Sequence, residues 1–444
     1  GLNCMNITVI GCGYLGAVHA SAMAELGHRV VGVDVDPDKV ATLSEGRPPF
    51  HEPGFTEILQ RNIGSGRLTF TTDFATIGGA QVHFITVGTP QGPSGAADLT
   101  YVHAAIEAML PHLGRCTDGA EVVAGKSTVP VGTAARLEPV IASTGALLVW
   151  NPEFLREGFA VEDTLHPDRM VYGLPGEPDG AERARAVLDE LYAPILAEGI
   201  PRLLMDYPTA ELVKISANAF LATKISFINA MASICDAAGG DVTSLARAIG
   251  MDTRIGHRFL RAGIGFGGGC LPKDIRAFQA RAEELGVGEA LEFLAEVDQI
   301  NEETRHHALV KARSMLGGSL NRARVAVLGA AFKPDSDDMR CSPGLAIASE
   351  LVDEGAQVVV TDPAAAPILA RDVDLPYDVA DDLEDALTAA DLIVLATEWT
   401  QYTHCDPVWA ATLVNGRNIV DGRNALNPKA WREAGFTYAA IGRQ

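Results

Sequence analysis

Several familiar ways of building or addressing a chain are missing from this one. Seven cysteines are scattered over 444 residues with no Cys-x-x-Cys pair. That excludes a disulfide framework and a paired-thiolate zinc site, and it fits a reducing cytosol. No apolar run reaches the roughly 18 residues of a membrane-crossing helix. No basic segment leads into an apolar stretch near the start, so we expect no secretion signal. Positive charge is in the minority, with 35 Lys and Arg against 57 Asp and Glu and a formal net charge of -22. Such a field repels nucleic acid and anionic membranes, and neither is expected as a partner. An anionic small molecule would need Lys and Arg placed locally.

What is present is the composition of an ordinary globular protein, 47% hydrophobic and 21% charged. The length suits two or three domains of about 100–200 residues each. The segment Gly1-Leu2-Asn3-Cys4 before Met5 is left out of the fold reading.

Asn6–Ile10 is a short β-branched run that ends in Gly11-Cys12-Gly13-Tyr14-Leu15-Gly16. Apolar positions at helical spacing follow, Gly27 stops them, and Arg29–Asp34 reads as a second buried strand closed by an acid. Further strands are expected at 82–87, 121–125 and 147–150, which predicts a doubly wound α/β domain over residues 5–205. From about Asp206 the strand signals vanish. A long helical pattern runs from Ala210 to about Ala237 and resumes from Lys273 to about His307, giving a central helical domain over 206–310 with a broad apolar face for a homodimer. A second α/β block covers 320–444, with strands at 323–329, 357–362, 392–397 and 418–421. It repeats strand, glycine turn, helix and strand ending in Asp, but Gly329-Ala330-Ala331-Phe332 carries no second or third glycine. The fold class is therefore α/β, two Rossmann-like doubly wound domains joined by a central helical domain.

Gly11, Gly13 and Gly16 between a strand and a helix allow a tight turn and close approach of a pyrophosphate to the helix N-terminus. Asp34 would accept hydrogen bonds from a ribose diol and repel a 2′-phosphate, which favours NAD over NADP. The second signal is Gly265-Phe266-Gly267-Gly268-Gly269-Cys270-Leu271-Pro272-Lys273-Asp274. Most free cysteines are small buried hydrophobes, and we read six of the seven that way or as simply exposed. Cys270, on a loop of four glycines beside a lysine and a carboxylate, reads instead as a reactive thiol. Lys214 and Asn218 lie four apart on one helix face; Glu153 and Glu157 also lie four apart, just after a strand end, where α/β sheets bind ligands. Taken singly, these two pairs are as much surface as site. No metal-ligand set is read.

Together these segments resemble the UDP-glucose/GDP-mannose dehydrogenase family over essentially the whole length from Met5. The matching motifs are GCGYLG (11–16), VGTP (87–90), STVPVGT (127–133), NPEFLREG (151–158), HPDRMVYG (166–173), ELVKISANAFLATKISF (211–227), GFGGGCLPKD (265–274), LGAAFKPDSDDMRCSP (328–343) and DGRN (421–424). The resemblance implies two successive NAD-dependent oxidations of a sugar primary alcohol to a carboxylate, by way of a thiohemiacetal and a thioester on Cys270. It implies that Lys214 stabilises oxyanions at C6 with Asn218 as a donor beside it. Asp274 would tune the thiol, Glu157 act as base for hydrolysis, and Thr128 hold a water. Contacts to NAD are implied for Gly11, Gly13, Tyr14, Leu15, Gly16, Asp34, Lys39, Thr89, Thr128, Glu157, Lys273 and Arg340. Contacts to the nucleotide sugar are implied for Glu153, Phe154, Leu155, Arg156, Lys214, Asn218, Arg254, Phe266, Gly267, Cys270, Lys333 and Arg423.

Two departures stand out: Gly269 where the family often has Ser, and Asn229-Ala230 where many bacterial members have Asn-Glu. The REGFAVED and HPDR stretches look more like the UDP-glucose enzymes, so UDP-glucose to UDP-glucuronate is the expected reaction. dTDP-glucose and GDP-mannose stay open as substrates. Two other readings also stay open. One is a two-electron hydroxyacid dehydrogenase, which would not need Cys270; the other is a non-catalytic NAD-binding regulator, which would form no NADH.

Overall fold

The computed structural model describes residues 3–444; Gly1 and Leu2, set aside above, lie outside them. Two compact units divide the chain, one ending at Ala217 and the other beginning at Asn218.

The first unit is built on eight strands: β1 (Asn6–Ile10), β2 (Arg29–Val33), β3 (Leu68–Thr71), β4 (Val82–Ile85), β5 (Val122–Gly125), β6 (Leu147–Trp150), β7 (Met170–Leu174) and β8 (Arg202–Asp206). Their order is 3-2-1-4-5-6-7-8. All neighbours are parallel except β6 and β7, which meet antiparallel at Trp150 and Gly173. The inner part of the sheet is covered on both faces, and β4, β5 and β7 are buried at every residue. On β5, Val122 and Ala124 face one core layer and Val123 the other. The order reverses between β1 and β4, where α/β sheets open a crevice at their carboxyl ends. Ile10 of β1 sits level with Val33 of β2 and Ile85 of β4, so Gly11, Asp34 and Thr86 emerge side by side.

The second unit has β9 (Arg324–Leu328), β10 (Gln357–Thr361), β11 (Asp378–Val379), β12 (Leu392–Leu395), β13 (Asn418–Asp421) and β14 (Thr437–Ala440). They form one sheet in the order 11-10-9-12-13-14, parallel throughout. Helices precede it. The long helix predicted from Ala210 spans Tyr207–Ala238, and the division between the units falls within it. A helix at Val242–Gly250 went unforeseen. The pattern from Lys273 to His307 is two helices, Leu271–Glu284 and Glu292–Met315. Gly286, at φ 77°, ends the first in a left-handed turn that residues with a Cβ resist.

Candidate active site

In the first unit, the turn after β1 is tightly drawn. A Cβ on Gly16 would lie 1.7 Å from the Gly11 carbonyl oxygen, so only glycine lets the helix Tyr14–Glu25 pack this close to the strand. A Cβ on Gly13 would meet nothing within 4 Å, and no side chain caps the helix there. The first amides of the helix therefore face open space, as a diphosphate requires. Asp34 accepts from the Cys12 amide at 2.7 Å and the Asp36 amide at 2.9 Å, and the Lys39 ammonium lies 3.5 Å from its Oδ2. These residues fit NAD: an open helix end for the diphosphate and a fixed carboxylate at the end of β2 for a diol. Farther along the sheet, the Thr89 hydroxyl donates to the Thr128 carbonyl at 2.7 Å, fixing two more of the expected cofactor residues to each other.

The loop after β6 carries Glu153 to Glu157. Glu153 accepts from the Leu155 amide at 2.6 Å and lies 3.4 Å from the Lys214 ammonium. Lys214 also stands over the Phe154 ring, whose centroid is 3.5 Å from the Arg169 guanidinium. Leu155 packs on the apolar core. Arg156 is exposed, paired with Asp163 at 2.8 Å and laid against Phe159.

Two residues that drew no attention in the sequence support this loop. Lys126 is 6% exposed. It donates to the backbone and side-chain oxygens of Asn151 at 3.1 and 3.0 Å. Burial pushes its ammonium down to about 7, with Glu153 opposing the shift and Lys214 adding to it. Glu52 accepts from Tyr14, Gly158 and Ala160. Its signal was an acid between apolar residues and prolines, Pro49-Phe50-His51-Glu52-Pro53, where a charge needs a buried partner.

In the second unit, Cys270 is exposed and stands directly before the helix Leu271–Glu284. The positive end of that helix faces the place where an anionic sulfur or oxyanion would form. Asp274, in the first turn, accepts from the Asn218 amide group at 2.8 Å and from the Lys273 ammonium at 2.8 Å. The structure thus brings Asn218, Cys270, Lys273 and Asp274 into one corner.

The glycine loop has a different reason from the one its composition suggests. Its glycines answer to the chain's own packing. A Cβ on Gly267 would lie 2.2 Å from the Cys341 carbonyl, one on Gly268 2.9 Å from the Phe332 ring, and one on Gly265 2.5 Å from Asn301. Buried Asn301 bonds both the amide and the carbonyl of Phe266, whose side chain is in the core. Over Gly269 lies the Arg340 guanidinium, 2.1 Å from where a Cβ would stand. Arg340 is itself held by Asp338 at 2.6 Å. Arg423 reaches back to this loop, donating to the Gly265 and Ala396 carbonyls at 2.7 Å each. Arg254 is exposed and paired with Asp252 at 2.7 Å, and Lys333 stands over the Phe332 ring.

The second sheet also keeps the strand–helix contact of the first. A Cβ on Gly344 would lie 2.4 Å from the Gly329 carbonyl, so the missing third glycine stands 15 positions after the first instead of five, beyond the loop that holds Lys333 and Arg340. Asp362, which follows β10 as Asp34 follows β2, is spent internally. It accepts from the Ala330 and Ala331 amides at 2.8 and 2.9 Å and from the Trp399 indole at 3.1 Å. At 1% exposure it offers nothing to a ribose, so this unit does not repeat the dinucleotide site.

Known proteins agree with that division of labour. Residues 5–196 match the NAD-binding domain of the UDP-glucose/GDP-mannose dehydrogenase family, 208–303 its central domain and 326–428 its UDP-binding domain. The chain belongs to this family. It is an NAD-dependent dehydrogenase of nucleotide sugars. The UDP-glucose 6-dehydrogenase TuaD of Bacillus subtilis is 40% identical over 447 residues, covering 98% of this chain and 93% of that protein. The UDP-glucose 6-dehydrogenase of Rhizobium meliloti is 40% identical over 445 residues, covering 99% and 100%. Among solved structures, a UDP-glucose dehydrogenase from the hyperthermophilic archaeon Pyrobaculum islandicum superimposes with a TM-score of 0.89 at 38% identity, covering 100% of this chain and 99% of that one. Among the described residues, no cluster of His, Cys, Asp and Glu could hold a metal ion, and no helix is long and apolar enough to cross a membrane.

Proposed function

We propose that the chain oxidises UDP-glucose to UDP-glucuronate in two NAD-dependent steps with covalent intermediates on Cys270. The observation that carries this reading is an exposed thiol at the head of a helix, directly beside the buried Asn218–Asp274–Lys273 network. Bound NAD supplies the hydride acceptor for both oxidations.

In this scheme Lys214 stabilises the C6 alkoxide and later oxyanions as charge develops there. The Cys270 sulfur adds to the C6 aldehyde left by the first oxidation, giving a thiohemiacetal whose carbon again carries a hydride to lose. Loss of that hydride gives a thioester. Glu157 takes a proton from water as it attacks the thioester, and the sulfur leaves as thiolate. The net balance is one alcohol, one water and two NAD converted to one carboxylate and two NADH, with release of protons.

Substrate contacts are assigned to Glu153, Phe154, Leu155, Arg156, Arg254, Phe266, Gly267, Lys333 and Arg423, and cofactor contacts to the 11–16 turn, Asp34, Lys39, Thr89, Thr128, Lys273 and Arg340. The UDP-glucose 6-dehydrogenase relatives support uridine and glucose as the base and hexose. Two NADH formed per UDP-glucose is the expected stoichiometry, and one NADH with free aldehyde as final product would sink the scheme. Turnover on dTDP-glucose or GDP-mannose well above that on UDP-glucose would move the assignment to that sugar.

The same proposal divides the labour among residues 5–205, 206–310 and 320–444, with the middle segment pairing two copies. The exposed side chains of Phe220, Phe227 and Ile234 recur every seven residues along the long helix, an apolar stripe suited to a second copy. A monomer in sedimentation at micromolar concentration would refute the dimer. A cytoplasmic location keeps the Cys270 thiol reduced.

A further inference from the structure

Glu52 is 6% exposed, and a buried carboxylate without donors is costly. Three donors from two distant segments converge on it. The Tyr14 hydroxyl donates to its Oε2 at 2.6 Å. The Gly158 amide donates to the same oxygen at 3.0 Å, and the Ala160 amide to Oε1 at 2.9 Å. Tyr14 opens the helix that follows Gly13 at the dinucleotide turn. Gly158 directly follows Glu157, and its φ of 91° turns the chain into the helix Ala160–Leu165. That helix has no side-chain cap of its own at Phe159; Glu52 caps it from 108 residues away.

The neighbourhood holds this link in place. The Tyr14 ring lies against Phe50 at 4.9 Å between centroids, and Phe50 stacks on Phe55 at 5.1 Å. Burial, the bond to Glu52 and the charges of Glu52 and Glu157 all push the Tyr14 phenol upward, so it stays protonated and remains a donor. Only a carboxylate can accept all three bonds; a glutamine would turn an N–H group toward one of them.

We propose that Glu52 is a positioning residue that ties the dinucleotide turn to the loop carrying Glu157, so that filling the turn and placing the hydrolytic base are one event. The catalytic half of this statement rests on the assignment of Glu157 as that base. A base displaced by about 1 Å can lose up to about 100-fold in rate, so a tie of this kind would let water attack the thioester only while the turn is organised.

The test uses the full chain with Glu52→Gln, Tyr14→Phe and, separately, Glu157→Gln. Hydrogen exchange of the Gly158 and Ala160 amides is followed with and without NAD. In the wild type NAD should slow exchange at both amides. Tyr14→Phe keeps both amide bonds to Glu52, so its exchange without NAD should match the wild type while the NAD effect shrinks several-fold. Glu52→Gln should raise exchange in both states. Rapid mixing and intact-mass measurement, at NAD concentrations that saturate each variant, should show the thioester on Cys270 accumulating in both.

An NAD effect that is absent from the wild type, or undiminished in Tyr14→Phe, overturns the tie. A fall in turnover with neither thioester accumulation nor altered exchange assigns Glu52 a merely structural role and also overturns it. If Glu157→Gln accumulates no thioester, the base assignment fails by itself, while the exchange data still judge Glu52. Should Glu52→Gln fold poorly, Tyr14→Phe decides.

Discussion

Asn218 donates to Asp274 at 2.8 Å, and this bond joins the long helix to the helix that begins beside Cys270. The second oxygen of Asp274 accepts from Lys273, and its amide donates to the Cys270 carbonyl at 2.9 Å. This one residue therefore closes the first helical turn through its amide and gathers Asn218 and Lys273 through its carboxylate. Asp274→Asn would turn an N–H group toward either Asn218 or Lys273, leaving a buried donor unmatched. We expect a loss of about 1–3 kcal/mol, read as a lower denaturant midpoint at unchanged slope. Iodoacetamide should also alkylate Cys270 at a changed rate. An unchanged midpoint with unchanged alkylation would show that the carboxylate is dispensable.

Cys270→Ser tests the covalent scheme directly. A serine oxygen can take the place of the sulfur in space but is a far weaker nucleophile at neutral pH. Acid formation should fall by at least about a thousandfold, the scale seen when a catalytic nucleophile is removed. The first oxidation should survive, so a single turnover should give about one NADH and an aldehyde that hydroxylamine can trap. Normal acid production by this variant would show that the second oxidation needs no covalent bond to Cys270.

The sequence disclosed the two sheets because the apolar runs of their inner strands are buried on both sides, and the long helix because its apolar residues recur at helical spacing. β8 escaped notice because Leu203 and Leu204 are half exposed, 48% and 44%, so the strand has no alternating face. β7 also went unread; it meets β6 antiparallel and β8 parallel. The residues of the candidate site were legible as motifs, yet the meaning of one motif changed. Glycines at 265, 267 and 268 reflect contacts with Asn301, Cys341 and Phe332, partners far away in the chain that no local pattern reveals. Glu52 carried a local signal, but its role was illegible for the same reason, since its amide partners lie 106 and 108 residues ahead. Gly344 was missed because a loop separates it from Gly329, whereas Gly16 follows Gly11 after five residues.

Gly269 is where this chain parts from the serine common in its family, and the structure gives the departure a consequence. A Cβ there would stand 2.1 Å from the Arg340 guanidinium. The backbone at Gly269 is not among the left-handed positions, so serine is permitted if the flexible end of Arg340 moves. Gly269→Ser should therefore fold normally and displace Arg340 from over the loop. Because Arg340 is assigned to the cofactor, KM for NAD should change by several-fold while KM for UDP-glucose changes less. A selective effect on the sugar would place Arg340 on the substrate side instead.

Lys126 provides a prediction in pH. Burial holds its ammonium at about 7 in the folded chain, against roughly 10.4 when unfolded. Below about 7 both states carry the proton, and the folded protein bears the whole cost of a buried charge. Between those values the unfolded chain binds a proton that the folded chain does not, so this residue's contribution to stability rises with pH, by about 1.4 kcal/mol per unit. The groups facing it are Glu153, which favours the charge, and Lys214, which opposes it; the buried His19 is held neutral, pushed down by burial and by Lys126. Lys126→Met fills similar volume and does not titrate, although it also leaves two Asn151 oxygens without a donor. The stability difference, wild type minus Lys126→Met, should therefore climb by about 1.4 kcal/mol between pH 8 and 9, measured by denaturant unfolding at each pH. Parallel curves for the two proteins would mean that Lys126 stays charged in the fold, with Glu153 outweighing the burial.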